Sequence, residues 1–482
     1  SGDFDPMIDS YGRVLFTQWD HLQTDQFADD NPVDFTSEAA GAPLEPTPFE
    51  LFPEPRFTTD PNFNAHRFNH FFPWQIREDG TDGEVLNHLG RHELHDYFAN
   101  NLNTDDNLIE FIAAVSGRVN QNSILNMFHI EEDPQQAGRY FGVDAPEFET
   151  HSAGHIFYLD APPTKNADQV EVIFVTPPDP AVSGHYREPL PLSNGRLLAV
   201  HTAQTAPEAT SGPSIYDFRL RWLEKGSNGY YAAQGDFVTA VPAKTIQYWD
   251  PDQLVTYTGQ LWELNPVEVR PRPRPTAAPN TIAPPEQQMF TAAGVSVAEL
   301  QAYLEANGLA LVISRNVTTR DDLDRQQPFN LRVAGADTQT VGAEGAVYEV
   351  AFMQFFQGDL IRGYGSESNV SAGRRVLARP LHDPAALEAN VPVIGPAGSV
   401  VIAADGSMAA FVPANRALSW QLTDTAGEAV VRERYWLTFQ PGEIRTCASC
   451  HGLNETDQGG QTTPQNPPQA LFDLLTFWKN NP

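Results

Sequence analysis

The chain has only two cysteines in 482 residues, and both lie in one pentapeptide, Cys447-Ala-Ser-Cys450-His451. No disulfide can therefore join distant segments, and the fold has to be held by hydrophobic cores. An apolar fraction of 41% is enough to build them. The length suggests two to four domains. No apolar run approaches the ~18 residues of a membrane helix. The segments 68–76 and 309–314 are short and bounded by polar residues.

The pentapeptide itself points to chemistry. Covalent attachment of a c-type haem needs two thiols to add to the vinyl groups and an imidazole under the iron. Cys-x-x-Cys-His supplies all three within about one helical turn. The sequence thus predicts one covalent haem c on Cys447 and Cys450, with His451 as the proximal iron ligand. A thioredoxin-like Cys-x-x-Cys pair would need a βαβ context. A zinc site would need further Cys or His partners, and no other cysteine exists. Haem c is normally attached outside the cytoplasm, so the motif also predicts an exported, periplasmic or extracellular protein. The first residues, Ser1-Gly2-Asp3-Phe4, show no basic region or apolar signal core, which fits a mature chain after leader removal, or a cloning remnant.

The distal ligand is harder to find. After His451 there is no Met, His or Tyr, and only Lys479 offers a donor. Upstream candidates are Met289, Met353, Met408, His382 and several tyrosines, with core packing as the bland reading of Met353 and Met408. His66, His70, His88, His92 and His95 also lie within thirty residues, and one of them, His92 foremost, is a candidate to reach the iron from the first half. Local hydrogen bonding around turns is the competing reading of this cluster. The acidic stretch 101–106 resembles a calcium loop, though its glycine and final Glu are out of register.

The net charge is −32, from 30 basic and 62 acidic side chains. Such a field repels nucleic acid and anionic membranes, and favours a basic redox partner. Acidity also serves solubility alone.

The first ~260 residues read as short strands closed by turn chemistry: 13–19, 71–77, 124–130, 154–159, 170–175, 195–201, 215–222 and 260–264. Gly12-Arg13-Val14-Leu15 and Gly195-Arg196-Leu197-Leu198 look like copies of one turn feeding one strand. The expected fold is mainly β: a β-propeller-like domain over 1–266, interrupted by a helical stretch at 93–115. Residues 267–288, rich in Arg-Pro, form a Pro-rich linker, either a free spacer or a surface strap. Residues 289–482 form a mixed α/β cytochrome c domain. Its helix 296–307 carries a Ser296/Glu299 capping box and stops at Gly308. A small antiparallel sheet spans 400–403, 408–412, 418–423 and 431–439, with turns at Asp405-Gly406 and Thr425-Ala426-Gly427. A last helix covers 470–480.

The stretch from Val430 through Tyr435, Pro441-Gly442-Glu443 and Cys447 to His451 resembles the haem region of the hydrazine synthase alpha-subunit family. The opening Gly12-Arg13-Val14-Leu15-Phe16 is similar to that family's propeller start. The resemblance implies a propeller followed by a mixed haem domain, without the family's further C-terminal haem domain. It also implies a Tyr ligand just past the motif, where this chain has Glu455, so that ligand does not carry over. Three functions follow as expectations. The first is an exported monohaem cytochrome for electron transfer, with the propeller as scaffold or docking surface. The second is a hydrazine-synthase-like enzyme acting on a small nitrogen or oxygen species at an open iron. The third is a subunit of an extracellular haem assembly, built from homo-oligomers.

Overall fold

Alternating apolar residues and turn glycines give the first half three sheets of the same design. In the computed structural model, which describes residues 3–20, 70–89, 94, 122–208, 214–239, 241–276, 281–320, 330–340, 347–364, 371–433, 435–450, 456–457 and 459–481, each is four-stranded and antiparallel, in chain order. The first contains β1 (Asp3–Ile8), β2 (Arg13–Asp20), β3 (His70–Arg77) and β4 (Glu84–Val85). The second contains β5 (Phe128–Glu132), β6 (Arg139–Asp144), β7 (His155–Asp160) and β8 (Ile173–Phe174). The third contains β9 (His185–Pro191), β10 (Leu197–Thr202), β11 (Arg219–Lys225) and β12 (Tyr231–Asp236).

The same turn opens the second strand of each sheet. Asp9, Asp133 and Leu192 donate their amides to the carbonyls of Arg13, Arg139 and Arg196 at 2.8–2.9 Å. The residue before each arginine is Gly12, Gly138 or Gly195, with φ of 80° to 82°, the left-handed region where a Cβ is costly. Aromatic and branched residues fill the space between sheets, among them Phe72, Trp74, Tyr140 and Phe157, all buried. An exposed hairpin of β13 (Lys244–Asp250) and β14 (Gln253–Gly259) follows.

Residues 261–276 then run without regular secondary structure. They touch all three sheets. Glu268 accepts from Ser193, Arg272 reaches Glu131, and Arg274 reaches Glu78. Arg-Pro alternation keeps the chain extended while the arginines tie it to acidic turns.

The second half has one main core. At its centre β15 (Leu309–Ser314) is buried at all six positions. Later strands are β16 (Leu331–Val333), β17 (Tyr348–Val350), β18 (Phe352–Tyr364), β19 (Ser371–Pro380), β20 (Ser399–Val401), β21 (Met408–Pro413), β22 (Leu418–Thr423), β23 (Ala429–Arg432) and β24 (Ile444–Cys447). β15 pairs antiparallel with β21 and parallel with β24. A five-stranded sheet is built on β18, flanked by β19, β20, β22 and β23. Helices α2 (Pro284–Ala293), α3 (Val297–Asn307), α4 (Pro384–Ala389) and α5 (Gln469–Asn480) pack around this core; α1 is a single turn at Pro180–Ser183.

The chain is mainly β, as expected. Ser296 caps α3 by accepting from Glu299, and Gly308 ends it at φ 64°. Several strand expectations change; the strand at 170–175 shortens to Ile173–Phe174 and that at 215–222 begins at Arg219. Residues 260–264 form no strand; instead Trp262 packs edge-on against Phe218 at 5.0 Å and donates to the Tyr216 carbonyl. Pairing at 124–130 begins only at Phe128. The strand expected at 431–439 stops at Arg432, and Leu437 turns into the gap between the two halves. Of the expected helix at 93–115, only Leu94 falls within the described residues. Among the described residues, no helix is long and apolar enough to cross a membrane.

Candidate functional site

The register of the central sheet brings the cysteine pair to a cavity. Ser314 lies opposite Met408 on one side and Cys447 on the other. Side chains repeat every second residue along a strand, so Val312 and Ser314 on β15 share a face with Arg445 and Cys447 on β24 and Met408 on β21. All five line a cavity of about 520 Å³. The backbone fixes the cysteine turn from both ends. Arg315 donates its amide to the Cys447 carbonyl at 3.0 Å, and Cys450 donates to Thr319 at 3.2 Å.

The opposite wall is apolar. Met353, Trp420, Leu422 and Leu437 face the cysteines across the cavity. The sequence named Met353 and Met408, and both line this cavity, Met408 from the sheet face that carries Cys447 and Met353 among the apolar residues. His382 is not there. It sits exposed between the end of β19 and α4, with Nδ1 3.0 Å from the Pro380 carbonyl, because Asp383 caps α4 at that point. His451, His92, His66, His95 and the 101–106 stretch lie outside the described residues, as does the side chain of His70. His88 is described, and it reaches the cavity from the first sheet.

The polar end of the cavity lies where the two halves meet. Arg445 donates to Glu84 Oε2 at 2.6 Å and pairs with Asp82 at 3.2 Å. His88 Nδ1 is 3.3 Å from the same Glu84 oxygen. Burial opposes the Glu84 charge, but His88 and Arg445 outweigh it and hold the carboxyl below its ordinary value. Glu443 accepts the amides of Asp82 and Gln440 at 3.0 and 2.9 Å; burial still pushes its carboxyl up. Tyr435 meets Trp74 edge-on at 5.9 Å, and Leu437 packs against the cores of both halves. These residues lie between β23 and the cysteines, so the approach to the motif doubles as the joint between halves. Sequence reasoning missed Arg445, Glu84 and Asp82, because an ion pair across 361 residues leaves no local spacing.

Two buried arginines close the inner end. Arg315 makes a two-pronged pair with Glu286 of α2 at 2.7 and 2.9 Å. Arg320, 1% exposed, also lines the cavity. Burial pushes the Cys447 thiol up to about 11, with Arg445 opposing that shift. Such a thiol, free of any ligand, is a weak nucleophile at neutral pH. Among the described residues no three His, Cys, Asp or Glu side chains are grouped to hold a metal ion.

Comparison with known proteins bears on this region. Residues 371–452 match the family model of the hydrazine synthase alpha subunit middle domain. The resemblance read from the Pro-Gly-Glu approach to the cysteines holds over that stretch. Among solved structures, a chain of Kuenenia stuttgartiensis hydrazine synthase is similar, at 13% identity and a TM-score of 0.46. The alignment covers 98% of this chain and 46% of that one, so this chain spans less than half of its length. No curated protein matches.

Proposed function

We propose that this cavity seats one c-type haem and that the protein is an exported redox module. Cys447 and Cys450 would hold the group by thioethers, and His451 would be the proximal ligand. The observation carrying the reading is that one cavity collects both cysteines and two of the three methionines named as candidates, Met353 and Met408. Its volume lies in the range of small-molecule and cofactor sites, roughly 300–1,000 Å³. Its walls are largely apolar, and the buried Arg320 cation suits an acidic group on the ligand. The chain has no third cysteine to complete a zinc site. A bound haem supplies one-electron chemistry. The chain's own part is to exclude water with Leu422, Leu437 and Phe439 and to offer a thioether sulfur from Met353 or Met408 as a distal ligand.

In this reading the three sheets of residues 1–266 are blades of a propeller-like scaffold. Residues 267–288 strap it to the haem domain, 289–482. Its acidic surface docks a basic redox partner, and covalent attachment implies a periplasmic or extracellular site. A second reading draws on the polar end of the cavity and on the family match. With His88, Glu84 and Arg445 beside an open iron, the protein would be an enzyme for a small nitrogen or oxygen species.

Spectra of the matured protein separate the two. A carrier gives a reduced six-coordinate spectrum unmoved by carbon monoxide, and either Met353→Leu or Met408→Leu converts it to a carbon monoxide-binding form. The enzyme reading expects wild-type protein to bind carbon monoxide at once. Protein matured with a haem-attachment system and still free of covalent haem would sink both.

A further inference from the structure

A second cavity, of about 590 Å³, opens where the second and third sheets join. The joint is a two-bond bridge in which Gly154 and Tyr186 each donate to the other's carbonyl at 2.8 Å. A Cβ on Gly154 would stand 1.9 Å from the Asp144 carbonyl oxygen, so only glycine permits this approach. The register therefore gathers Asp144 from the end of β6, His155 from the start of β7 and His185 from the start of β9 around one opening.

Three buried polar atoms are left without a hydrogen-bond partner there, and one of them, His185 Nδ1, is an acceptor. His185, 5% exposed, has Nε2 3.3 Å from the Thr205 carbonyl. A carbonyl only accepts, so Nε2 carries the hydrogen and Nδ1 presents a lone pair. That Nδ1 has no hydrogen-bond partner, and neither has Nδ1 of His155 or the hydroxyl of Thr150, a residue 4% exposed. Burial lowers both imidazoles and keeps them neutral; for His155 the neighbouring His185 adds to the effect. Asp144 Oδ1 accepts the Leu125 amide at 2.7 Å and the Asn126 amide at 3.4 Å. Even so, burial pushes its carboxyl up to about 6. Among the described residues, no lysine or arginine lines the cavity. A buried polar group without a partner is costly, so a ligand that donates to the His185 lone pair is what this cavity lacks.

The ligand's charge and size follow. A carboxylate, two neutral imidazoles and a chain of net charge −32 favour a cation. Among the described residues, no three His, Cys, Asp or Glu side chains here are grouped to hold a metal ion. A polyatomic cation spans the gap, and Leu125, Phe174, Pro178 and Pro180 offer an apolar wall beside it. We infer that this cavity binds a small protonated primary amine, its ammonium group donating to Asp144, His155 and His185 and its hydrocarbon part lying on the proline-rich wall. The site is separate from the cysteine cavity and independent of what that one holds.

Calorimetric titration of the full chain with n-butylammonium chloride tests this. We expect one site per chain, weakened at least tenfold in both Asp144→Asn and His185→Phe. Tetramethylammonium, which has the charge but no N–H, and butyrate, which has the chain but the opposite charge, should bind at least tenfold more weakly. Thermal melts establish that each variant folds, and His155→Phe stands in for His185→Phe if that variant does not. The proposal fails if butylammonium gives no binding heat at millimolar concentration, if Asp144→Asn binds it equally, if tetramethylammonium binds as well, or if zinc chloride occupies the site in preference.

Discussion

At the scale of single residues, burial sets the chemistry of the two most informative acids. Cys447 and Asp144 are both pushed upward by desolvation, to about 11 and about 6. For the thiol the consequence is kinetic. In haem-free protein, alkylation of Cys447 by iodoacetamide should stay slow through pH 9 and accelerate only toward pH 11, because the thiolate is the nucleophile. An ordinary thiol profile with a midpoint near about 8.5 would contradict the upward shift at this partly exposed thiol. For Asp144 the consequence is thermodynamic. Its folded value lies above the ordinary 3.8, so between about pH 4 and 6 the folded chain holds a proton that the unfolded chain releases. Stability from this group is present at low pH, falls as pH rises through that window, and is flat above it. Asp144→Asn keeps an acceptor for the Leu125 amide and removes the charge. It should raise stability at pH 7 by about 1–2 kcal/mol, allowing for partial exposure, and leave it nearly unchanged at pH 4. Denaturant midpoints at the two pH values check it. A residue that costs stability where it stands fits one kept for binding.

At the scale of elements, the repeated turn is where the sequence was most and least readable. Gly12-Arg13 and Gly195-Arg196 announce themselves because each lies three residues after its turn's first hydrogen bond donor, Asp9 or Leu192. Gly138-Arg139 is the same device, but two extra residues separate Gly138 from Asp133, so the phrase loses its spacing while the geometry survives. The strand at 418–423 and the turns at Gly406 and Gly427 were legible because turn residues and alternation agreed. The stretch 431–439 was not. Its apolar residues read as a strand, whereas Tyr435 and Leu437 are apolar because two cores meet there. The turn glycines make a graded prediction. Gly138→Ala would put a Cβ 2.9 Å from Pro162 at φ 82°, whereas Gly229→Ala at φ 88° meets nothing within 4 Å. The second should cost about 1–2 kcal/mol for backbone handedness alone. The first should cost clearly more, since it adds a steric term that the second lacks. Equal losses in chemical denaturation would mean that the second sheet relaxes freely around Pro162.

At the scale of the molecule, the cysteine cavity belongs to neither half alone. Its sheet comes from β15, β21 and β24, but its polar end comes from the β3–β4 turn and His88. A reader of sequence could find the cysteines and methionines, since each is rare in this chain. The partners of Arg445 were invisible, because acidic residues are common and a turn 361 residues away carries no mark of its role. That ion pair is 11% and 14% exposed at its two side chains, so removing one partner leaves the other charge poorly hydrated. Arg445→Met should therefore destabilise the protein by about 3–5 kcal/mol, and Glu84→Gln by less, because the amide still accepts from Arg445 while Asp82 remains beside the guanidinium. Burial shields the pair from bulk ions, so the loss should persist at high salt, unlike the loss of a surface pair. Hydrogen exchange gives the sharper readout. If the pair locks the halves together, Arg445→Met speeds exchange across 82–88 and 435–447 together and leaves the third sheet, 185–236, unchanged. Faster exchange confined to 435–447 would mean that the first sheet holds its place without the ion pair, and that Trp74 and Leu437 are the joint.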